Sequence, residues 1–230
     1  MIIGKGMIAK AFDLYKKNQD IVIFASGVSN SLEENIKCFE REEALLKKTI
    51  LENKSATFVY FSTCSIMDES VNQKKYVTHK LKMEHVIQDK VRNFHVFRLP
   101  QVVGYGNDSI FINFLFNSVI KNRTIDIFNR SSRNLIGIED VFYICNYIIQ
   151  QNLFKNEITN IASPYNMKVL DIVFRIEKIT SKTLKKKIHD IGYSYNICID
   201  KLISLNREFE IFSDDYIDNL LSDFYIKYYK

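Results

Sequence analysis

Tyr76 and Lys80 lie four residues apart in Tyr76-Val77-Thr78-His79-Lys80, a stretch with a helical pattern. That spacing puts a phenol and an ammonium on one helix face. A lysine charge lowers the pKa of a neighbouring phenol, which can then exchange a proton with a hydroxyl or carbonyl near neutral pH. Of the 13 tyrosines, Tyr76 alone has a lysine at this spacing. A solvated helix face could carry the same pair, so its meaning depends on what surrounds it. Phe61-Ser62-Thr63-Cys64-Ser65 closes an apolar run and gathers hydroxyls where a strand would end. In open α/β sheets ligands bind beyond the carboxyl ends of strands, where such hydroxyls can orient a substrate oxygen. A polar junction with local backbone hydrogen bonds would look the same. Gly4-Lys5-Gly6-Met7-Ile8-Ala9 follows a short apolar start and opens a helical pattern. Glycines there let the backbone approach a pyrophosphate, and a helix N-terminus offers it free N–H groups. A tight strand-to-helix turn has the same composition.

The elements that must position these residues alternate. Met1–Ile3 is a short apolar start and Ile8–Lys17 reads as a helix. Asp20–Ala25 is a continuous apolar run, as expected of a strand buried on both faces. Leu32–Glu52 reads as a long charged amphipathic helix, Thr57–Ser62 as a strand, Val77–Asp89 as a helix and Phe94–Leu99 as a strand stopped by Pro100. This rhythm predicts a parallel sheet with helices on both faces. Beyond it, Ile110–Lys121, Val141–Gln150 and Lys168–Thr180 read as helices, and Thr124–Phe128 and Ile158–Ile161 as strands. The last thirty residues read as a helical, aromatic cap.

Composition narrows the class. With 230 residues, 47% of them hydrophobic, one sizeable core is expected. A net charge of +5 is too small and too spread for a nucleic-acid binder, and the Lys182–Lys187 cluster reads as a solvated face. Cys38, Cys64, Cys145 and Cys198 form no CxxC pair, so neither a metal site nor a redox motif is expected, and the thiols read as reduced. No signal peptide and no membrane-spanning run is visible, which predicts a cytoplasmic protein with no membrane partner.

Taken together and in this order, these stretches resemble the extended branch of the short-chain dehydrogenase/reductase family, which includes sugar-nucleotide epimerases, dehydratases and 4-keto reductases. Further segments carry the resemblance. Phe97-Arg98-Leu99-Pro100-Gln101-Val102-Val103-Gly104 is similar to the family's strand ending in R-x-x-N-x-x-G. Arg133 to Val141 is similar to its R-D-F-I-H-V-D-D-V segment, and Asn160-Ile161-Ala162-Ser163 to its late Y-N-I-A-S strand. The resemblance implies a Rossmann-like α/β fold with a small C-terminal α/β substrate cap. One domain would span 1–230, with about 1–105 binding the cofactor and 106–230 mixed, including the cap. It implies NAD(P)(H), with Lys5 favouring NADP(H) through a 2′-phosphate, a nucleotide-sugar substrate, no metal, and a homodimer formed through the two long helices. Tyr76 would be the general acid/base, Lys80 would bind the nicotinamide ribose and tune Tyr76, and Thr63, with neighbouring Ser62 as the alternative, would supply the partner hydroxyl. Gly4, Lys5, Gly6, Met7, Ile8, Ala25, Ser26, Gly27, Ser62, Pro100 and Val103 would line the cofactor. Cys64, Ser65, Gln101 and Arg133 would join Thr63 on the substrate, Arg133 as a fork for its diphosphate. Family dehydratases carry Asp-Glu where Cys64 and Ser65 stand, which disfavours water elimination.

Two departures from the family stand out. The glycine loop is G-x-G where the family has G-x-x-G. The family also has two further strands before the one matched by Asp20–Ala25, so the sheet is expected to be shortened on the adenine side. A direct connection from the first helix to that strand is left-handed if the helix keeps its usual face, a hand seen in only about 2% of such crossovers. The alternatives are a helix that changes face or a different strand assignment.

Overall fold

The computed structural model describes residues 1–106, 110–205 and 211–230. They form two units, Met1–Leu99 with Val141–Ile161, and Pro100–Asp140 with Ala162–Lys230. Part of the expected C-terminal helical cap, residues 206–210, lies outside the described residues.

In chain order the elements are β1 (Ile2–Ile3), α1 (Met7–Ala11), β2 (Ile21–Phe24), α2 (Ile36–Glu52), β3 (Thr57–Thr63), α3 (Lys75–Lys90), β4 (Phe94–Leu99), β5 (Gln101–Val103), α4 (Phe111–Ile120), β6 (Thr124–Phe128), β7 (Ser132–Gly137), α5 (Ile138–Gln150), β8 (Glu157–Asn160), β9 (Asn166–Lys168), α6 (Val169–Thr180), β10 (Lys185–His189), α7 (Asp200–Leu205) and α8 (Tyr216–Tyr229).

The first unit is an all-parallel sheet in the order β1-β2-β3-β4-β8. Its central strands β2, β3 and β4 are buried on both faces, which explains their apolar runs. Phe58, Tyr60 and Val96 pack with Leu46 and Ile50 of α2 and Met83 and Ile87 of α3. The alternate residue Phe61 faces the other way and meets Phe12 at 5.1 Å, while Phe12 meets Phe142 of α5 at 5.2 Å. Phe12 is fully buried, a transfer worth about 1.5–3 kcal/mol.

These contacts settle the hand of the first connection. The α2 and α3 crossovers both advance the sheet in one direction across one face. The α1 connection advances it in the same direction across the opposite face, so its hand is opposite to theirs. Right-handed crossovers being the strong rule, the connection through α1 is the left-handed one. The expected helix Ile8–Lys17 is correspondingly short: α1 ends at Ala11 and a single 3₁₀ turn, Asp13–Tyr15, follows. Tyr15 is buried and donates to Asn146 Oδ1 at 2.7 Å, and the Asn18 side chain accepts from Asp20 N and Ile21 N. α2 starts four residues later than the charge pattern suggests, because the Asn35 side chain accepts from Lys37 N and caps it there.

In the second unit β5 pairs parallel with β7 and β7 antiparallel with β9, while β10 pairs parallel with β6. β10 carries Lys185, Lys186 and Lys187 of the 182–187 cluster that reads as a solvated face. Lys185 and Lys187 are exposed on a two-stranded edge, where lysine discourages further pairing, whereas Lys186 is half-buried and pairs with Glu177 at 2.6 Å. Its core joins α4, α6 and α8 through Phe116, Ile172, Ile176, Leu221 and Phe224. No helix among the described residues is long and apolar enough to cross a membrane.

His95 is buried in β4, stacked on Phe97 at 5.8 Å. Burial, helped by the Lys155 charge, pushes its pKa down from 6.5 to about 4. A histidine that is neutral when folded and charges on unfolding removes stability as pH falls. Urea denaturation should therefore show stability falling between pH 6.5 and about 4. His95→Phe should flatten that window.

Candidate active site

Thr63, the last residue of β3, is buried, and its hydroxyl oxygen accepts from Ser65 N at 3.1 Å. That bond caps the turn Cys64–Met67 and leaves the hydroxyl proton uncommitted among the described residues. Ile66 of the turn packs against α3 in a cluster with Val28, Phe39, Tyr76 and Val77. Tyr76 is thus held at the start of α3, 8% exposed, and near enough to Tyr60 to act on it electrostatically. Ser62 Oγ is buried and has no partner among the described residues. Cys64 is fully buried and donates to the Arg98 carbonyl at 3.3 Å. Burial, against the nearby Arg98 charge, pushes its thiol up to about 12. Ser65 is half-buried beside it.

Lys80 is fully occupied. Its ammonium donates to Tyr60 Oη at 3.0 Å, to Glu42 Oε1 at 3.2 Å and to the Phe61 carbonyl at 3.4 Å. Glu42, on α2, has no exposed surface and is the centre of the arrangement. Its Oε1 also accepts from Tyr60 Oη at 2.6 Å, and its Oε2 accepts from Val28 N at 2.6 Å. His79 Nε2 lies 3.1 Å from Oε2, close but not aligned as a hydrogen bond. Burial opposes the charge on both partners. For Glu42, Lys80, His79, Tyr60 and Val28 N outweigh burial and bring its pKa down from 4.5 to about 2. For Lys80 burial wins and its pKa falls, so the pair is held by the donors gathered on Glu42. One helical turn on, Glu84 takes a two-pronged bond from Arg98, at 2.9 and 2.6 Å.

The segment after β2 is fixed by the same helix. Arg41 donates to the Ser26 carbonyl and side chain while Glu42 takes Val28 N. Between them a Cβ on Gly27 would come within 2.5 Å of Lys80 Nζ and 2.9 Å of Glu42 Oε1. At the head of the sheet Gly4 has φ +139°, and a Cβ there would meet the Ala25 carbonyl oxygen at 2.3 Å. A Cβ on Gly6 would meet nothing. Lys5 is exposed with no partner among the described residues, and Met7 and Ile8 are half-buried on a helix of five residues.

The remaining expected residues belong to the second unit. Pro100 and Gln101 are half-buried and Val103 is buried, the last two in β5. Arg133, in β7, donates to the Ser132 carbonyl and lies 5.9 Å from the Phe111 ring, with guanidinium donors to spare. Beside it Asn134 is buried and bonds the Ser163 and Tyr165 carbonyls, joining two segments singled out by sequence. Asp140 accepts from Tyr216 Oη at 2.6 Å, and Tyr216 Oη accepts from Gly137 N at 3.0 Å. Sequence reasoning missed Glu42 and Tyr60. The signal for Glu42 was its place in the buried stripe Phe39-Glu42-Leu46-Ile50, where a charge is out of keeping.

Compared by sequence, the chain matches no family model and no curated protein. Solved structures match it over nearly its whole length. One is dTDP-glucose 4,6-dehydratase from Bacillus anthracis in complex with NAD, 13% identical, with a TM-score of 0.72 over 98% of this chain and 79% of that one. The chain shares the Rossmann-type α/β fold of these structures. UDP-glucose 4-epimerase from Thermotoga maritima with UDP-glucose is 16% identical, with a TM-score of 0.72 over 98% and 84% of the two chains. RMD from Pseudomonas aeruginosa, complexed with NADPH, is 16% identical, with a TM-score of 0.70 over 98% and 87%.

Removing one partner of a buried pair leaves an uncompensated charge, at about 3–5 kcal/mol, whereas replacing both by apolar groups is far milder. Glu42→Leu should therefore lower the unfolding free energy by about that amount, and adding Lys80→Met should recover much of it. A double variant as unstable as the single one would contradict the pairing. Because the depressed Glu42 pKa stabilises the fold above pH 4.5, that contribution should fade as pH drops toward 2.

Proposed function

We propose that the protein is a nicotinamide-dependent oxidoreductase acting on a nucleotide-activated sugar, as a 4-keto reductase or an epimerase, in surface polysaccharide synthesis. The observation that carries the reading is Thr63 at the carboxyl end of β3, its hydroxyl proton uncommitted, with Tyr76 at the head of the helix packed on the following turn. The fold supports the substrate class by analogy.

Two features fit a dinucleotide. Ser62 Oγ is an orphaned buried hydroxyl at the carboxyl end of β3, and Gly6 leaves the loop open where a side chain would obstruct a phosphate. Gly4 to Ile8, with Ala25, Ser26 and Gly27, would hold it, and Pro100 and Val103 are assigned to its nicotinamide end. When bound, the nicotinamide would supply or accept a hydride. Tyr76 would give or take the proton at the sugar oxygen, and Thr63 would orient that oxygen by donating its hydroxyl proton. Arg133 is assigned to the substrate diphosphate, with Gln101 and Ser65 on the sugar. Cys64 contributes shape, since a thiol with a pKa near 12 neither gives nor takes protons at neutral pH. With no carboxylate at 64 or 65, water elimination is disfavoured. Exposed Lys5 favours NADP(H), and pairing through α2 and α3, where Ile36 and Leu51 are exposed, is assigned to a homodimer.

A second reading is a nucleotide-sugar binder that uses no dinucleotide. The donor count at Lys80 favours it, as does β1, which pairs with β2 alone among the described strands.

Titration with NADH and NADPH, followed by nicotinamide fluorescence and thermal unfolding, separates the two. Ligand at a hundredfold excess over its Kd adds about 2.7 kcal/mol of apparent stability. Binding of either supports the oxidoreductase, and a preference lost in Lys5→Glu supports the assignment of Lys5. Tyr76→Phe should cut turnover by about 10²–10⁴-fold with little change in stability. A fully active Tyr76→Phe protein would sink the assignment.

A further inference from the structure

We infer that Glu42 is a positioning residue that withholds Lys80 from a dinucleotide: its carboxylate occupies the ammonium where a ribose diol would have to engage it. The inference rests on the reading of this fold as one built to hold a dinucleotide beside Lys80.

The case is a count of donors. An ammonium has three N–H groups. In Lys80 they go to Glu42, Tyr60 and the Phe61 carbonyl, and none remains for a ribose hydroxyl. Access is closed as well. The side chain is 4% exposed, and Gly27 passes so close to Nζ that even a methyl group there would collide. Charge points the same way. Glu42 cancels the positive charge that would otherwise act on Tyr76, and no exposed surface of the carboxylate lets water weaken that effect. Glu42 also binds Val28 N, so one carboxylate fixes both the lysine and the segment that covers it. A purely structural ion pair would need only the lysine. This one ties the lysine to the segment that closes over it.

Glu42→Gln tests the idea. The amide keeps the shape but removes the charge, and its NH₂ group cannot accept from the ammonium. Affinity of the full chain for NADH and NADPH would be measured by nicotinamide fluorescence, with circular dichroism as the check on folding. The expected result is at least a tenfold lower Kd than wild type for one of the two, although the variant melts at a lower temperature. A residue with only a structural role would lower the melting temperature and leave affinity unchanged or weaker. Wild-type binding with no gain in Glu42→Gln would overturn the inference and leave the oxidoreductase reading standing. No binding by either protein at millimolar ligand would overturn both. Binding by Glu42→Gln alone would support the inference and identify the wild type as the dinucleotide-free binder. If Glu42→Gln does not fold, Tyr60→Phe decides, because it frees one lysine donor while keeping the ion pair. A several-fold gain there supports the inference, and no gain overturns it.

Discussion

A carboxylate with no exposed surface must have its lone pairs met by protein groups, and in the first unit that requirement falls on Glu42. Meeting it draws in three other parts of the fold. The segment after β2 gives a backbone N–H, β3 gives the Tyr60 hydroxyl, and α3 gives Lys80 and brings His79 alongside. The α2–α3 pairing on one sheet face is therefore polar at its centre and apolar around it, through Leu46, Ile50, Met83 and Ile87. Glu84 and Arg98 extend the arrangement, so acidic and basic groups alternate along the underside of the site. Such networks contribute little net stability and a great deal of geometry.

Much of the first unit was legible because its signals are local. Asp20–Ala25, Thr57–Ser62 and Phe94–Leu99 read as strands because their cores are covered on both faces, and Pro100 ended the last run because it has no N–H to give. Tyr76 and Lys80 stood out by residue type and spacing, and Thr63 stood out only through the family resemblance. What those groups touch was not. In sequence Glu42 sits among Glu40, Arg41 and Glu43 and looks like one more solvated charge. Only the packing of α2 on the sheet turns it inward while Glu43 stays outside with Lys47 and Lys82. Tyr60 was hidden in an apolar run, where its hydroxyl carries no periodic signal.

In the second unit the helices were legible and the short strands β5, β7, β9 and β10 were not. Three-residue strands such as β5 and β9 have no periodicity to detect, and Lys185–Lys187 looked solvated because edge strands favour lysine. Gly4 is a case in which the pattern was right and its cause different. The motif suggested room for a phosphate, yet at Gly4 the room is taken by the end of β2, and the open position is Gly6. β1 pairs directly with β2, and that pairing sets the close approach of Gly4 to Ala25.

The order in which the sheet is completed has a consequence for biogenesis. β8 pairs with β4, bringing Glu157 beside His95, yet all of β5, α4, β6 and β7 are synthesised between them. On the ribosome β4 is made early and its outer edge waits, apolar and unpaired, until the α5–β8 segment emerges. Non-local closure of this kind is slow, and an exposed strand edge invites pairing with another chain. The nascent protein is thus most prone to misassociate in the interval between completing β4 and releasing β8.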